Sequence, residues 1–546
     1  MMRLKNAKGQ TAALAFMAIA VMTVLGGSLL KHSLSASNDS RLQQIDADML
    51  YAGEGAIEDA IGQFATAIAN FSVDANLPRY PVAGGTYLTT AFASGASAQA
   101  WVDEAEAAPR TVADPDGISL FVKNYHITVD VTDPSSNRTI RLHQIVARRI
   151  IYTFQHAVFY DDDLEWHPGA DMTLSGRVHS NKDIYLTAYN GKILTVDSEY
   201  LRSAGSLYHK RKDDGTTPSG TVQIKQAGSS PANYPVFNFD STSASWLANA
   251  ISTWNGTVRT GVHGVAKRSA PVVGSIAPGG YYDSNADVKI VNATVNQGGA
   301  TLVEGTNIPP GTVTTVTTFY NQREGKTIRM TNVDLRKLAG WYDCDGDSVE
   351  TQCYPNHLPS NGLLYATRND ALLAEEPGVR LVRGSEIYRA GGLTVVSDDP
   401  MYIQGNYNTT SKKPTAVIGD ALHLLSNNWN DANSQAALNS RVATATTVNA
   451  AFIAGIKPTA GSQYSGGLEN YPRLQEKWSG IALTISGSFV ALWNSQIATG
   501  NWPGTGTVYS APIRTWSYDN SFSSGATMPP FTPWAVEIDR GAWWKE

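Results

Sequence analysis

Three stretches of this chain hold side chains whose types and spacing could do chemistry. In Asp343-Cys344-Asp345-Gly346-Asp347-Ser348-Val349-Glu350, carboxylates alternate around a central glycine, so several oxygens can converge on one hard cation such as calcium. The expected donors are Asp343, Asp345, Asp347 and Glu350. The pattern departs from an EF-hand loop, because glycine stands fourth instead of sixth and Tyr354 occupies the twelfth place. The plainer alternative is a solvated acidic turn. A second group, His167, Asp171, His179, Asn181 and Asp183, has the donors for a divalent metal or an acid–base pair. It lacks the spacing of a zinc helix, and the favoured reading is that Asp171 and Asn181 shape turns while His179 packs at a corner. Third, Glu469, Arg473 and Glu476 flank Tyr471-Pro472 and are expected to form a structural ion-pair network. Trp502, Trp516, Trp534, Trp543 and Trp544 supply either a carbohydrate-stacking surface or, the favoured reading, a cap over an open core. No nucleophile elbow, P-loop or dinucleotide fingerprint occurs. The expectation is that no catalytic set is assembled and that the chain is not an enzyme.

Composition sets the frame for these residues. At 546 residues the chain exceeds one ordinary domain, although a repetitive β architecture can absorb that length. Only 16% of residues are charged, and Gly, Ser, Thr and Asn are plentiful, a mixture poor in helix formers and rich in turn residues. A net charge of −6 argues against a nucleic-acid partner, which needs a concentrated positive face. The one basic run, His209-Lys210-Arg211-Lys212, is followed at once by Asp213-Asp214 and reads as a solvated loop. The two cysteines, Cys344 and Cys353, are expected to form a local disulfide if the chain is exported.

The N-terminus carries the strongest signal. Arg3, Lys5 and Lys8 precede an uncharged run from Gly9 to Leu30, closed by Lys31. That run is long enough to cross a bilayer as a helix, and its flanking charge predicts that the N-terminus stays inside and the rest outside. A cleaved secretory signal is the alternative, with Ser35-Ala36-Ser37 as its cut site. Against it, apolar or small residues recur at Leu42, Ile45, Met49, Ala52, Ala56, Ile61, Phe64, Ile68 and Phe71, one face of a continuing helix. No proline interrupts the chain before Pro78. A helix over 10–69 would be ~90 Å long. Gly53 and Gly55 weaken it, which predicts a bend near Tyr51–Gly55.

Beyond the helix the pattern is β. Residues 78–113 read as loop with short elements. Ile118–Val131 and Thr139–Phe159, either side of Asp133-Pro134-Ser135-Ser136-Asn137, read as a hairpin. From about Gln155 onward, short strands are punctuated by Gly, Asn and Asp. In 171–186, read as strand, turn, strand, the inward side chains are Met172, Leu174, Val178, Ile184 and Leu186; 392–407 reads in the same way, and 416–425 and 481–492 add further short strands. The predicted class is α+β, predominantly β: a membrane-spanning and amphipathic helix over 1–75, a small β region over 76–154, and a β-solenoid-like body with a Trp-rich C-terminal cap over 155–546. A β-sandwich is the alternative for the body.

The residues Lys8-Gly9-Gln10-Thr11-Ala12-Ala13-Leu14, the apolar run, and Ala47-Asp48-Met49-Leu50-Tyr51-Ala52-Gly53-Glu54-Gly55-Ala56-Ile57-Glu58-Asp59-Ala60-Ile61 resemble the N-terminal region of PilX-type minor pilins of type IV pili. The resemblance implies peptidase processing between Gly9 and Gln10, an anchor in the bacterial inner membrane with the body outside the cytoplasm, and pilin subunits or assembly machinery as partners. Where that family has Phe or Met after the glycine and Glu five residues in, this chain has Gln10 and Leu14. Gly176-Arg177-Val178-His179-Ser180-Asn181-Lys182-Asp183-Ile184, the stretch 392–408, Ser426-Asn427-Asn428-Trp429 and Gly466-Gly467-Leu468-Glu469-Asn470-Tyr471-Pro472-Arg473 resemble large pilus-associated surface proteins. The resemblance implies a structural or adhesive role at the cell surface, with surface glycans or a host or partner surface as targets. A surface-anchored β-solenoid polysaccharide lyase or hydrolase is the competing class.

Overall fold

The computed structural model describes residues 7–69, 88–92, 95–114, 117–268 and 273–546. One helix, Ala7–Ala69, runs unbroken through Gly53 and Gly55. Its first half is bare: Leu14, Phe16, Met17, Ile19, Met22, Val24, Leu29 and Leu30 are all exposed. This stretch is long and apolar enough to cross a membrane. From Ile45 onward the helix gains a buried face of Met49, Ala52, Ala56, Ile57, Ala60 and Phe64. Ile45 and Ile61 are half-buried at its border and Leu42 stays exposed. Phe71, expected on this face, lies outside the described residues.

That face lies on a six-stranded antiparallel sheet. Its order is Leu88–Ala91, Ser97–Glu104, Ser119–Asp133, Arg138–Tyr152, Trp534–Lys545, with Arg110–Ala113 also paired to Ser119–Asp133. Period-2 burial of Tyr125, Ile127, Val129, Val131, Ile140 and Leu142 presents an apolar surface to the helix. Phe64 packs against Tyr125 with ring centroids 4.7 Å apart. The expected hairpin forms in the register Asp133↔Arg138 through Phe121↔Ile150. Asp133 fixes its turn by accepting from the backbone N–H of Ser136 at 2.9 Å, while Asn137 takes the left-handed conformation at φ 52°. Gly53 is needed for close approach, since a β-carbon there would meet Leu142 Cδ1 at 2.2 Å.

The chain leaves this sheet at Tyr152 and builds the β body in two passes. Outward, it winds through Val158–Tyr160, Leu164–Trp166 and Met172–Ser175. Each later turn lies parallel on the one before, as in Val158↔Val178, Leu201↔Val178 and Leu201↔Val258. It then starts again from the other end. Val288–Val291, Leu363–Thr367, Leu393–Val396, Thr415–Gly419, Thr446–Ala454 and Ala482–Ala491 stack in parallel back toward the start. A companion stack runs from Lys326–Asp334 to Pro472–Leu474. The two passes meet where Phe489 pairs with Val158 and Ala491 with Tyr160. One large apolar core runs through both passes and includes the predicted inward residues Met172, Leu174, Val178, Ile184 and Leu186, and a second cluster holds Phe159, Tyr365, Ile418 and Val490. These ladders are parallel, beside short antiparallel pairs such as Val288–Val291 with Thr294–Gln297 and Val313–Asn321 with Lys326–Asp334.

The final strand corrects the expected boundary at 155–546. Trp534–Lys545 belongs to the small sheet, where Trp534 pairs with Tyr152, and Thr153 N donates to Pro533 O at 3.1 Å. The tryptophans divide accordingly. Trp502 and Trp516 pack on the core of the body. Trp534, Trp543 and Trp544 stand on the sheet, where Trp544 stacks on His143 at 4.7 Å and His126 at 5.3 Å.

The helix–sheet interface gives a pair of opposite expectations. Gly53→Val inserts atoms where Leu142 already sits and lowers unfolding stability by about 1–3 kcal/mol. Gly62→Ala meets nothing within 4 Å and raises it by up to ~1 kcal/mol through helix propensity. Denaturant titration of the two variants against the parent chain checks both signs.

Candidate functional site

The acidic stretch forms the tip of a hairpin in which Trp341 pairs with Gln352 and Tyr342 with Thr351. Cys344 and Cys353 are joined as a disulfide with Cα atoms 6.5 Å apart. Asp343, Asp345 and Asp347 each bring an oxygen within 4.8 Å of the others; among the described residues no other trio of His, Cys, Asp or Glu side chains does so. Turn amides hold them in place: Asp343 Oδ1 accepts from Gly346 N at 2.7 Å and Oδ2 from Ser348 N at 3.0 Å, and Asp347 Oδ1 accepts from Val349 N at 2.7 Å. Three such carboxylates, completed by water, are a donor set for one hard cation.

Glu350, the fourth expected donor, is turned elsewhere. Its Oε2 accepts from Arg336 Nε at 2.6 Å, and Arg383 adds a two-pronged contact at 2.7 and 2.9 Å. Burial pushes its carboxyl up, but hydrogen bonds from Arg383 and Arg336 outweigh that and hold it below the usual carboxylate range. A carboxylate gripped by two guanidiniums ties the hairpin to the β body and has little charge left for a cation.

The His167–Asp183 group does not converge; its members mostly bond or pack against neighbouring segments. Asp171 Oδ1 accepts from Ile193 N at 2.9 Å, and Asp183 Oδ1 from Ser206 N at 2.7 Å. His167 Nδ1 meets Thr187 Oγ1 at 2.8 Å. Asn181 joins Asp161 Oδ1 and Arg268 O at 2.6 and 2.7 Å. His179 is buried, stacked on Phe159 at 5.3 Å, and its Nε2 lies 3.0 Å from Asn181 Oδ1. Burial, and then the charge of Arg268, lower its pKa to about 3. It is neutral over the physiological range and shielded from solvent.

Glu469, Arg473 and Glu476 are buried but do not form one network. Arg473 Nη1 donates to Glu324 Oε1 at 2.8 Å, both side chains almost wholly buried. Glu476 accepts from Ser426 N and Oγ at 2.7 and 2.6 Å. Glu469 accepts from Tyr464 Oη at 2.5 Å and from His167 N at 3.1 Å. Glu469 stands in the turn before the strand Pro472–Leu474, Arg473 on that strand and Glu476 just after it, so each meets different neighbours and sequence proximity misassigned the partners.

Glu165 escaped notice in the sequence because Leu164-Glu165-Trp166 reads as a strand with its charge facing water. Instead Gly466 and Gly467 cover it: a β-carbon on Gly466 would meet Glu165 Oε1 at 2.4 Å, and Glu165 bridges to Gly467 in parallel. Burial is the chief cause that drives its pKa to about 7, and nearby Glu469 adds to it. Both carboxylates sit at the seam between the two passes. Gly9 and Gln10 lie in the first turns of the helix.

No family model matches the chain, and neither does any curated protein. Among solved structures, the competence-associated pilin ComZ from Thermus thermophilus is similar over 92% of this chain and 97% of its own, at 9% identity and a TM-score of 0.26. A likeness that loose carries no weight for fold or function.

Two expectations follow from these environments. Non-reducing peptide mass spectrometry of the native protein should recover Cys344 linked to Cys353, and replacing both by serine should cost about 2–3 kcal/mol in the loop-entropy account; free thiols in the native protein would refute the bond. For His179 the sign is set by its lowered folded pKa. Between about pH 6.5 and 3 the unfolded chain takes up a proton that the folded chain refuses, so stability falls as pH falls. His179→Gln should make that acid slope shallower by up to about 1.4 kcal/mol per pH unit, read from urea titrations across the range.

Proposed function

We propose that this chain is a pilin-like, membrane-anchored display protein whose β body works outside the cytoplasm in a structural or adhesive role, without turning a substrate over. One observation carries the reading: a single helix is bare and apolar over its first half and is packed onto a sheet over its second. Water penalises the bare half and a bilayer accepts it. The packed half explains why the helix continues past the length a cleavable signal needs. The resemblance of 8–14 and 47–61 to PilX-type minor pilins supports the same arrangement, with Gly9 and Gln10 at the processing site and pilin subunits or assembly machinery as neighbours in the bacterial inner membrane.

The stacked parallel ladders support a β-solenoid body, which supplies reach and stiffness because backbone bonds are satisfied within and between windings. Surface glycans or another cell's surface are the partners this arrangement suits. A polysaccharide lyase or hydrolase would need an acid and a base converging on open space. Glu165, Glu376 and Asp399, carboxyls whose pKa values burial raises, are themselves buried in the body.

Deleting 10–30 should convert the native protein from carbonate-resistant membrane association to a soluble species. In the full-length chain, Ser462→Cys places a thiol at an exposed position of the body. A membrane-impermeant maleimide should label it in cells whose outer layer is opened and inner membrane intact. Labelling only after lysis, or a full-length chain that is already soluble, would overturn the reading.

A further inference from the structure

The seam between the two passes also shapes the outer surface. Met172–Ser175 is an edge strand, paired with Ile193–Asp197 on one side, and Ile513–Tyr518 pairs with Ala482–Ala491. The two strands lie side by side without a ladder between them. A trench of about 520 Å³ runs from this seam across the rungs, lined by residues of Met172–Ser175 and Ile193–Asp197 and by Gln223 and Arg514.

Its floor is regular. Met172, Leu174, Leu194, Val196, Val222 and Ile224 point into the core, so the alternate residues point out. Thr173, Thr195 and Gln223 stand in register on three successive rungs, about 4.8 Å apart. They present hydroxyl, hydroxyl and amide in a row, with Gln223 Nε2 donating to Thr195 Oγ1 at 2.9 Å. Asp171 and Asp197 lie along the same floor, and Arg514 forms the wall from the facing strand. Lys225 Nζ lies 3.7 Å from Asp197 and 3.2 Å from Glu199, so with Arg514 the lining keeps a small negative excess and holds both donors and acceptors.

We infer that this trench binds a neutral, linear polysaccharide lying along the stack, with about one sugar per rung. Carboxylate, amide and guanidinium groups are the side chains that grip adjacent hydroxyls in pairs. The rung spacing is close to the length of one pyranose unit. A polyanion meets Asp171 and Asp197, which repel it. An added peptide strand needs a free edge with room beside it, and here the two edges face one another. The inference deepens the display reading: it rests on the body facing the exterior and names the class of surface it would hold.

The test uses the detergent-solubilised full chain and soluble hexasaccharides of neutral β-glucan, α-glucan and mannan, with polygalacturonate and an unrelated extended peptide as comparison arms. At least one neutral hexasaccharide should bind by calorimetry. Thr195→Arg, which plugs the floor from an outward position, should weaken it at least about tenfold at unchanged melting temperature. Gln223→Ala, a milder change, should weaken it in the same direction. Absence of binding by all neutral hexasaccharides, unchanged affinity in both variants, or trench-dependent binding of the polyanion or peptide instead would each overturn the inference. Membrane association and thiol labelling are read separately, so loss of this site leaves the anchor reading intact.

Discussion

The ladder between Arg138–Tyr152 and Trp534–Lys545 is the constraint on which the rest of the molecule depends. It joins strands separated by the whole β body and sets their first pair, Trp534↔Tyr152, at the point where the chain departs and returns. The body is therefore an insertion between two neighbouring strands of a sheet, held at both its ends. The same sheet buries the second half of the helix through Leu142, Val131 and Tyr125. The helix and the strand that closes the body thus meet on one sheet, with Val536 and Ile538 at the border of the helix's apolar layer. Closing so large a loop has an entropic cost that grows only slowly with length, and ten paired positions plus the aromatic stack of Trp544 on His143 and His126 offset it.

Within the body the same problem recurs at the seam. A chain that winds outward, restarts at the far end and winds back must join its first turn to its last, and Val158–Tyr160 on Phe489–Ala491 does so. Around that junction polar groups are buried and must be matched or neutral. Arg473 meets Glu324; Glu469 meets Tyr464 and the backbone of His167; Glu165 is driven toward its protonated form. Corners elsewhere use the same device. Asp420 accepts from the N–H groups of Gln496 and Ala498 at 2.5 and 2.9 Å, fixing the turn after Ala482–Ala491.

How much of this was legible in the sequence depended on whether the signal was local. The helix, the hairpin around Asp133 and the inward set Met172, Leu174, Val178, Ile184 and Leu186 follow from period and turn chemistry within a few residues. The disulfide and the grouping of Asp343, Asp345 and Asp347 are local too. What escaped was set by partners far along the chain. Glu350 reads as a cation donor until Arg336 and Arg383 are seen to hold it. Arg473 reads as a partner of Glu469 until Glu324 is found beside it. Trp534–Lys545 reads as a cap because its pairing partner lies almost four hundred residues earlier, and no periodicity reports that.

The side chains that first suggested chemistry share a structural position. His167, Asp171, Asn181 and Asp183 each stand at a winding corner and bond to an adjoining segment, usually the next rung. A stack of parallel rungs has no hairpin to set its register, so corners must carry that information. Short polar side chains that bond backbone N–H groups are the residues able to do so. The polar clustering that resembles a catalytic constellation in one dimension is thus a consequence of building the body from stacked corners. The rungs between them carry outward hydroxyls and amides in register, as in Thr173, Thr195 and Gln223.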